Sequence, residues 1–194
     1  QGFTMAANQG KTAYEDALNL LSNQDEYDIN MILIPGIIDS ITSHQAIVSK
    51  AIDVCEDRGD CFVIVDPVVP DNQVGENRFV PPSVVMGGIF SFNDKVAHPW
   101  FAPAGLNRGG IDTAIQAERK LTNDNRDTLY ESNINPIATF PGQGVTVFGQ
   151  KTLQKKASAL DRINVRRLLI ALKKFIASTS RFLVFEQNNS ATRR

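Results

Sequence analysis

Two continuous apolar runs joined by a helical pattern constrain the fold more than any other feature of this 194-residue sequence. Residues 28–34, DINMILI, end in the apolar run MILI, and residues 61–65, CFVIV, are apolar throughout. Such runs are typical of strands that are buried on both faces of a mainly parallel sheet. Between them, residues 43–59 predict a helix that begins at a Ser43 cap and ends at Gly59. Strand, helix and strand in this order predict a right-handed crossover unit of α/β type.

Ligand sites of α/β sheets lie at the carboxyl ends of the strands, which are here Pro35-Gly36 and Asp66-Pro67. Neither end carries a recognisable site, because no GxGxxG follows the first strand and GxxxxGK[ST] does not occur. His44, Asp66 and Ser83 could form a nucleophilic triad, but Ser83 lies outside a GxSxG elbow. Two histidines and two cysteines without ligand spacing give no metal site. We therefore predict no catalytic residues, no metal and no cofactor.

The two cysteines, Cys55 and Cys61, suit a reducing compartment better than a disulfide framework. We expect both to be small buried hydrophobic residues, although their closeness leaves a bridge open. The sequence predicts neither a membrane span nor an export signal. It contains no run of 18 apolar residues, and its first 16 residues lack the basic and apolar regions of a signal peptide.

The net charge of −1 hides an uneven distribution along the chain. Residues 1–80 carry a net charge of −9, residues 81–149 carry −1, and residues 150–194 carry +9. Such asymmetry indicates either nucleic-acid binding by the basic end or head-to-tail packing of acidic and basic surfaces of successive copies.

Residues 164–182 are amphipathic and predict a helix capped by Asn164. At about 100° per residue one arc is apolar, and we expect this stripe to face the core. Its members are Val165, Leu168, Leu169, Leu172, Phe175 and Ile176. The opposite side carries Arg166, Arg167, Lys173, Lys174 and Arg181, with no acidic residue to pair with them along the helix. This basic side is either a solvated surface or a docking face for an acidic partner.

Other segments predict shorter elements. Residues 11–22 predict a helix, and residues 67–82 predict a proline-rich loop. We expect Ser83 to cap the next helix. After that helix comes an irregular segment, and we expect Trp100 and Phe101 to anchor it by packing against the body of the protein.

The second half predicts a helix capped by Thr122 and a hairpin. The hairpin strands are residues 134–140 and 145–148, and the turn is the four residues PGQG. Residues 182–185 either extend the last helix or start a new extended segment, and we favour the helix.

An ordered series of motifs resembles the contractile tail sheath proteins of bacteriophages and of related contractile injection machines. The series begins with YDINMILIPG, CEDRGD, CFVIVDP and VPPS. It continues with Asp94, Pro99, Trp100, Pro103, Ala104 and Gly105, and then with LTNDNRDTL, NINPIATFPGQGVTVFGQKTL, INVRRL and FEQNN. The series covers nearly the whole chain and is specific as a series, although no single motif in it is.

The resemblance implies a fold and a role. The implied fold class is α/β: a subtilisin-like, layered, parallel-rich sheet flanked by helices in residues 1–97, followed by a partial α+β sheath C-terminal domain in residues 98–194. The implied role is that of a non-enzymatic subunit of a virion tail sheath, assembled in the host cytoplasm. Such a subunit polymerises around the tail tube and contracts to drive the tube through the host envelope.

The implied partners are other sheath subunits, the tail tube protein and the baseplate, with no membrane and no nucleic acid. The resemblance places Arg166, Arg167, Lys173 and Lys174 near the tube or a neighbouring subunit. The residues assigned to its structural motifs are Trp100, Pro103, Gly105, Pro136, Gly142, Gly144 and Gly149. The competing hypothesis is a nucleic-acid-binding module that uses the basic last quarter, which lacks interleaved aromatic residues.

Two departures from the family pattern lead to further expectations. Both ends look cut, since the chain does not begin with Met and ends soon after FEQNN. We therefore expect a soluble fragment that is monomeric. Between Asp66 and Val80, where relatives carry a further helix and strand, the sequence has a short proline-rich link, which leaves a lost element or missing residues as alternatives.

Overall fold

A computed structural model describes residues 9–68 and 79–193, so most of the predicted proline-rich loop lies outside the described residues. The helices and strands of the first half are α1 (Gln9–Leu21), β1 (Met31–Ile38), α2 (Gln45–Arg58), β2 (Phe62–Asp66) and α3 (Pro82–Val96). The second half contains α4 (Asn123–Glu131), β3 (Ile137–Phe140), β4 (Gly144–Val147) and α5 (Ile163–Ser180).

Strands β1 and β2 pair in parallel, with Ile32 opposite Val63, and α2 connects them as predicted. Buried residues of α1, α2 and both strands form one apolar cluster that includes Ile47 and Ala51. The prediction that β1 ends at Pro35 was wrong. The strand continues to Ile38 through a register shift, where Gly36 adopts a φ of 87° that favours glycine.

Helix α2 ends at Gly59 as predicted, with a left-handed φ of 65° and an amide that donates to Cys55 O. Its start differs from the prediction, because the N-cap residue is His44 and not Ser43. The imidazole of His44 does not cap the helix. Its Nδ1 accepts a hydrogen bond from the Ile38 amide at 3.0 Å, which ties the helix start to the end of β1.

The start of α3 is capped from another element. We expected Ser83 to be its cap, but the N-cap residue is Pro81 and Ser83 lies inside the helix. The Asp66 carboxylate accepts hydrogen bonds from the Ser83 amide and hydroxyl, both at 2.7 Å. A carboxylate at a helix N-terminus satisfies backbone donors and interacts favourably with the helix dipole. The end of β2 therefore fixes the position of α3.

The second half is built on the predicted hairpin, in which β3 and β4 are antiparallel and Ala138 lies opposite Thr146. The predicted Thr122 cap of α4 is also confirmed, and it forms a capping box with Asn125. A second apolar cluster contains Ile89 of α3, Ile111, Val145 and Val147. Helix α3 therefore packs against both halves.

The segment between α3 and α4 has no regular strand or helix, as predicted, but its anchor is different. Trp100 and Phe101 are 41% and 40% exposed, so the prediction that they plug into the protein was wrong. Pro103 has a fully buried side chain in this segment, and the Gly105 amide donates to Val147 O at 2.8 Å. Backbone bonds to β4, rather than large aromatic side chains, hold the segment.

The architecture is a mixed α/β fold with a two-stranded parallel sheet and a two-stranded antiparallel sheet in the described residues. Within the same ranges, no helix is both long and apolar enough to span a membrane.

Candidate interaction surface

The C-terminal helix α5 carries most of the predicted site residues. It begins at Ile163 after an extended Arg162, so the prediction that Asn164 caps it was wrong. The α-helix ends at Ser180, where a 3₁₀ turn, Arg181–Leu183, replaces the predicted helical continuation. Two basic residues of α5 contact other elements of the chain, whereas most of its apolar stripe is exposed.

Arg167 joins α5 to α3 through a bidentate ion pair with Asp94. Its Nη1 and Nη2 donate to the two carboxylate oxygens of Asp94 at 2.7 and 2.5 Å. The Arg167 side chain is 5% exposed, and its guanidinium lies 4.9 Å from the ring centroid of Phe90. A planar guanidinium suits such a bidentate contact and stacks on aromatic rings. Arg167 is thus a buried structural residue of this chain.

Lys174 anchors the next turn of α5 to the loop before β1. Its ammonium donates to Asp28 Oδ1, Ile29 O and Asn30 Oδ1 at 2.5, 2.6 and 2.7 Å. Three acceptors match the three N–H bonds of an ammonium group. The Lys174 hydrogen bond and charge lower the pKa of the Asp28 carboxyl. We call this group of three acceptors the Lys174 cradle.

The remaining basic residues make weaker contacts. Lys173 is exposed, and its Nζ lies 3.4 Å from Gly59 O. Arg166 donates to Gln154 Oε1 at 2.8 Å, and exposed Arg181 lies 3.7 Å from Asp25. The basic C-terminus thus pairs partly with the acidic N-terminal half of the same chain. The assignment of Arg166, Arg167, Lys173 and Lys174 to a tube or subunit interface stays a prediction.

Arg58 positions the Lys174 cradle, and sequence reasoning did not single it out. From the last turn of α2, its guanidinium donates to Leu21 O at 2.5 Å and to Tyr27 O at 2.8 Å. It also forms a buried pair with Asp60 at 2.8 Å. These bonds fix the segment that leads into Asp28. The sequence shows that Asp60 follows Arg58 by two residues, which suggests their ion pair. It does not show the two carbonyl partners of Arg58, because they lie 31 and 37 residues away.

The apolar side of α5 faces outward, so the prediction that it faces the core was wrong. Val165 and Leu168 are half-buried, but four residues of the predicted stripe are exposed. We call these four the outer stripe: Leu169, Leu172, Phe175 and Ile176. The inner contacts of α5 come from Arg167, Ile170 and Lys174 instead.

The predicted motif residues mostly shape the backbone of the second half. Gly105, Gly142 and Gly144 have φ values of 82°, 74° and 75°, which favour glycine. Pro136 is buried and its carbonyl accepts from the Phe148 amide, while a Cβ on Gly149 would lie 2.8 Å from Asn135 Oδ1. Trp100 stacks on His98 with ring centroids 4.6 Å apart. The structure therefore distributes these residues along the irregular segment and the hairpin.

The residues considered for chemistry have structural contacts. Asp66 and Ser83 meet at the start of α3, but within the described residues no hydrogen bond joins His44 to either of them. Cys55 and Cys61 are buried free thiols with sulfur atoms 3.6 Å apart, which confirms the expectation of burial. Their contact raises the pKa of Cys55 and lowers that of Cys61. In the same ranges, no group of three His, Cys, Asp or Glu side chains could hold a metal ion.

An open depression of about 470 Å³ lies between α4 and the hairpin. It is lined by Asn123, Arg126, Asp127, Tyr130, Pro136 and Phe148. The Arg126 guanidinium lies over the rings of Phe140 and Phe148, at 5.1 and 5.7 Å. This lining offers polar and aromatic contacts but includes no Ser, Cys or His side chain.

Comparison with known sequences identifies phage relatives, although no family model matches the chain. The chain is 42% identical over 123 residues to the tail sheath protein of Vibrio phage KVP40, covering 63% of this chain and 18% of the relative. It is 40% identical over 117 residues to that of Enterobacteria phage T4, covering 60% and 18%. It is 32% identical over 125 residues to that of Salmonella phage ViI, covering 64% and 20%. The chain spans about a fifth of the length of these relatives.

Solved structures share the fold over most of the chain. The anti-feeding prophage baseplate structure matches 95% of this chain and 54% of its own chain, with a TM-score of 0.76 at 23% identity. The contracted helical sheath of the same prophage matches 90% and 53%, with a TM-score of 0.69 at 25% identity. The chain thus spans about half of these neighbours. Together with the phage relatives, they confirm the resemblance that the sequence motifs indicated.

Proposed function

We propose that this chain, which is homologous to phage tail sheath proteins, is part of the structural subunit of a contractile tail sheath. The observation that carries the proposal is the 42% identity over 123 residues to the sheath protein of phage KVP40. The structural match to a contracted helical sheath supports it. A phage tail is favoured over a related injection machine, because identity to the phage proteins is 32–42% and identity to the injection structures is lower.

The proposed subunit polymerises around a tail tube, joins the baseplate and resides in the virion after assembly in the host cytoplasm. Contraction then drives the tube through the host envelope. The energy is stored in subunit contacts, since an extended array can be kinetically trapped above a contracted array of lower free energy. This mechanism requires no enzymatic step. The contacts of Asp66, Ser83 and His44 within the fold support a structural role for these polar residues.

The finer architecture is part of the same proposal. Residues 1–97 would belong to a layered, subtilisin-like sheet domain, and residues 98–194 to a C-terminal sheath domain. The parallel β1–β2 pair with its α2 crossover supports the first assignment. The antiparallel hairpin and α5 support the second.

Electron microscopy of the gene product that carries this chain, expressed without other phage proteins, tests the function. We expect helical tubes, because sheath subunits contain the contacts that form the array. Discrete particles that never polymerise, even in the presence of a tail tube, would refute the proposal. Salt-sensitive retention of DNA in a filter-binding titration, without polymerisation, would favour the nucleic-acid hypothesis instead.

A docking role on the tube is best tested at Lys173. Reversing Arg167 or Lys174 would break contacts within the fold, whereas Lys173 is exposed and has one long polar contact. We expect Lys173→Glu to weaken sheath assembly on a tube without changing the melting temperature of the subunit. The matched control is Lys155→Glu, an equal charge reversal at an exposed position outside α5. Equal assembly by both variants would remove Lys173 from the interface.

A further inference from the structure

Cys55 and Cys61 form a pair of thiols that the proposed function does not use. Cys55 lies in the last turn of α2 and Cys61 directly precedes β2, yet their sulfur atoms are only 3.6 Å apart. Gly59 allows this approach, because its left-handed conformation ends α2 and redirects the chain between the two residues. Both thiols are free and belong to the first apolar cluster. The fold thus holds two reduced cysteines in contact.

The turn that carries the two thiols is held in place by hydrogen bonds. Arg58 Nε donates to Asp60 Oδ1 at 2.8 Å, and the same guanidinium donates to two carbonyls of the segment before β1. The Gly59 amide donates to Cys55 O at 2.9 Å. Sulfur atoms in a disulfide are about 2.0 Å apart, so each sulfur would move by about 0.8 Å if both side chains moved equally. A bridge therefore needs only small side-chain movements.

The two thiols differ in acidity, and the thiolate is the reactive form of cysteine. The hydrogen bond with Cys55 lowers the pKa of Cys61, and the positive charge of Arg58 acts in the same direction. The hydrogen bond with Cys61, together with burial, raises the pKa of Cys55. Cys61 is therefore the nucleophile of the pair, and Cys55 is the thiol that can react with its product.

The burial of the pair selects the class of oxidant. The side chains of Cys55 and Cys61 are 8% and 4% exposed, which leaves little room for a bulky disulfide reagent. Hydrogen peroxide is close to water in size and oxidises thiolates to sulfenic acids. A sulfenic acid condenses with an adjacent thiol to a disulfide. A small peroxide thus fits both the access to the pair and its chemistry.

We propose that Cys55 and Cys61 are a modification site at which a peroxide forms a reversible disulfide within the chain. The Cys61 thiolate attacks one peroxide oxygen and the O–O bond breaks, which leaves a sulfenic acid on Cys61 and a hydroxide ion. This hydroxide takes up the proton that the Cys61 thiol lost on ionisation. The Cys55 sulfur then attacks the Cys61 sulfur, and the Cys55 proton leaves with the sulfenic hydroxyl as water. Two thiols and one peroxide thus give one disulfide and two waters.

The bridge would join the end of α2 to the start of β2 within the crossover unit. A cross-link restricts the unfolded chain, so the oxidised chain should resist unfolding better than the reduced chain. The time at which the bridge forms rests on the proposed function, in which the virion leaves the reducing host cytoplasm. The reaction itself does not, because it needs only this chain and a peroxide.

Mass spectrometry of the folded chain tests the bridge. The chain is reduced, freed of reductant, exposed to hydrogen peroxide and blocked with N-ethylmaleimide in urea before digestion with trypsin. Cleavage after Lys50, Arg58 and Arg78 places the two cysteines in different peptides, residues 51–58 and 59–78. We expect these peptides to be linked in chains of monomer size and to separate when dithiothreitol is added. Peptides that carry maleimide instead of a link would overturn the proposal, as would links that form only when peroxide is added in urea.

Single variants test the order of attack. In Cys55→Ala the sulfenic acid of Cys61 has no thiol partner, so we expect dimedone to label Cys61. In Cys61→Ala we expect Cys55 to stay unlabelled, since its pKa is raised. Equal labelling of both variants, or no label on Cys61, would overturn the assigned roles. If a variant fails to fold, as judged by circular dichroism, the linked peptides of the parent chain still decide whether the bridge forms.

Urea unfolding tests the effect of the bridge on stability. Peroxide should raise the urea midpoint of the parent chain, and dithiothreitol should restore the original value. The matched control is Cys55→Ala/Cys61→Ala, which keeps the methionines that peroxide also oxidises and should show no rise. A parent midpoint that does not rise would refute the stabilising bridge. The proposed function would survive each of these failures, because tube formation is measured on the gene product without peroxide.

Discussion

The ion pair between Arg167 and Asp94 predicts an asymmetric response to mutation. Asp94→Ala leaves the guanidinium of Arg167, which is 5% exposed, without a counter-charge. An uncompensated buried charge costs about 3–5 kcal/mol. Because the Asp94 side chain is 35% exposed, water can replace part of the lost interaction, and we expect a loss of about 2–4 kcal/mol.

Arg167→Met should cost less, about 1–2 kcal/mol. Methionine keeps apolar contact with the Phe90 ring, over which Arg167 lies, and the unpaired Asp94 carboxylate can hydrate. The double variant should resemble Arg167→Met alone, since no buried charge remains. The coupling energy in the double-mutant cycle should therefore equal the loss caused by Asp94→Ala, about 2–4 kcal/mol.

Urea unfolding monitored by circular dichroism measures these values, provided that the m-value is unchanged. Lys95→Ala, an exposed neighbour of Asp94 on α3, is the control and should change stability by less than about 0.5 kcal/mol. The reasoning fails if Asp94→Ala behaves like this control. It also fails if the losses of the two single variants simply add in the double variant, because the pair would then contribute no coupling.

Three further predictions follow from individual contacts. Asp66→Ala should lower the free energy of unfolding by about 1–3 kcal/mol, because the Ser83 amide loses its acceptor at the start of α3; an unchanged urea midpoint would contradict this. Gly109→Ala should lower the free energy of unfolding by more than about 2 kcal/mol, because the added Cβ would lie 2.8 Å from backbone atoms. Gly110→Ala is the control, since a Cβ at this position meets nothing within 4 Å. Equal melting temperatures of the two variants would refute the prediction. The lysine partner of Asp28 lowers its folded-state pKa, so this pair stabilises the fold above about pH 3.8 and the contribution is lost as the pH falls through the lower folded-state value. Asp28→Asn should be less stable than the parent at pH 7, and the difference should shrink as the pH falls below about 3.8; a difference that stays constant with pH would exclude this cause.

Local signals in the sequence predicted the elements that depend on neighbouring residues. The apolar run before Pro35 correctly predicted β1, and the helical pattern that ends at Gly59 correctly predicted α2. Thr122 correctly predicted the start of α4. The end of β1 was missed because Gly36 lets the strand continue through a register shift instead of a turn. Caps supplied from a distant residue, such as Asp66 for α3, leave no local trace.

The orientation of α5 could not be predicted from its own residues. Periodicity identifies an apolar and a basic side but does not say which side meets the rest of the chain. The inward position of Arg167 and Lys174 depends on Asp94 and on the acceptors of the Lys174 cradle, which lie far away in sequence. Because the sequence does not show these partners, the apolar stripe was predicted to face the core, and this prediction was wrong.

The Lys174 cradle forms only after Lys174 has been synthesised, long after its acceptors. Its acceptor Asp28 precedes Lys174 by 146 residues, so at a synthesis rate of about 5–20 residues per second the acceptor emerges roughly 7–30 s before its donor is made. During that interval the segment before β1 lacks the Lys174 bonds, but it can keep those to the Arg58 guanidinium and the bond from Gln24 to Arg58 O. Among the described helices α5 is synthesised last, so its docking onto the N-terminal segment follows the synthesis of that segment.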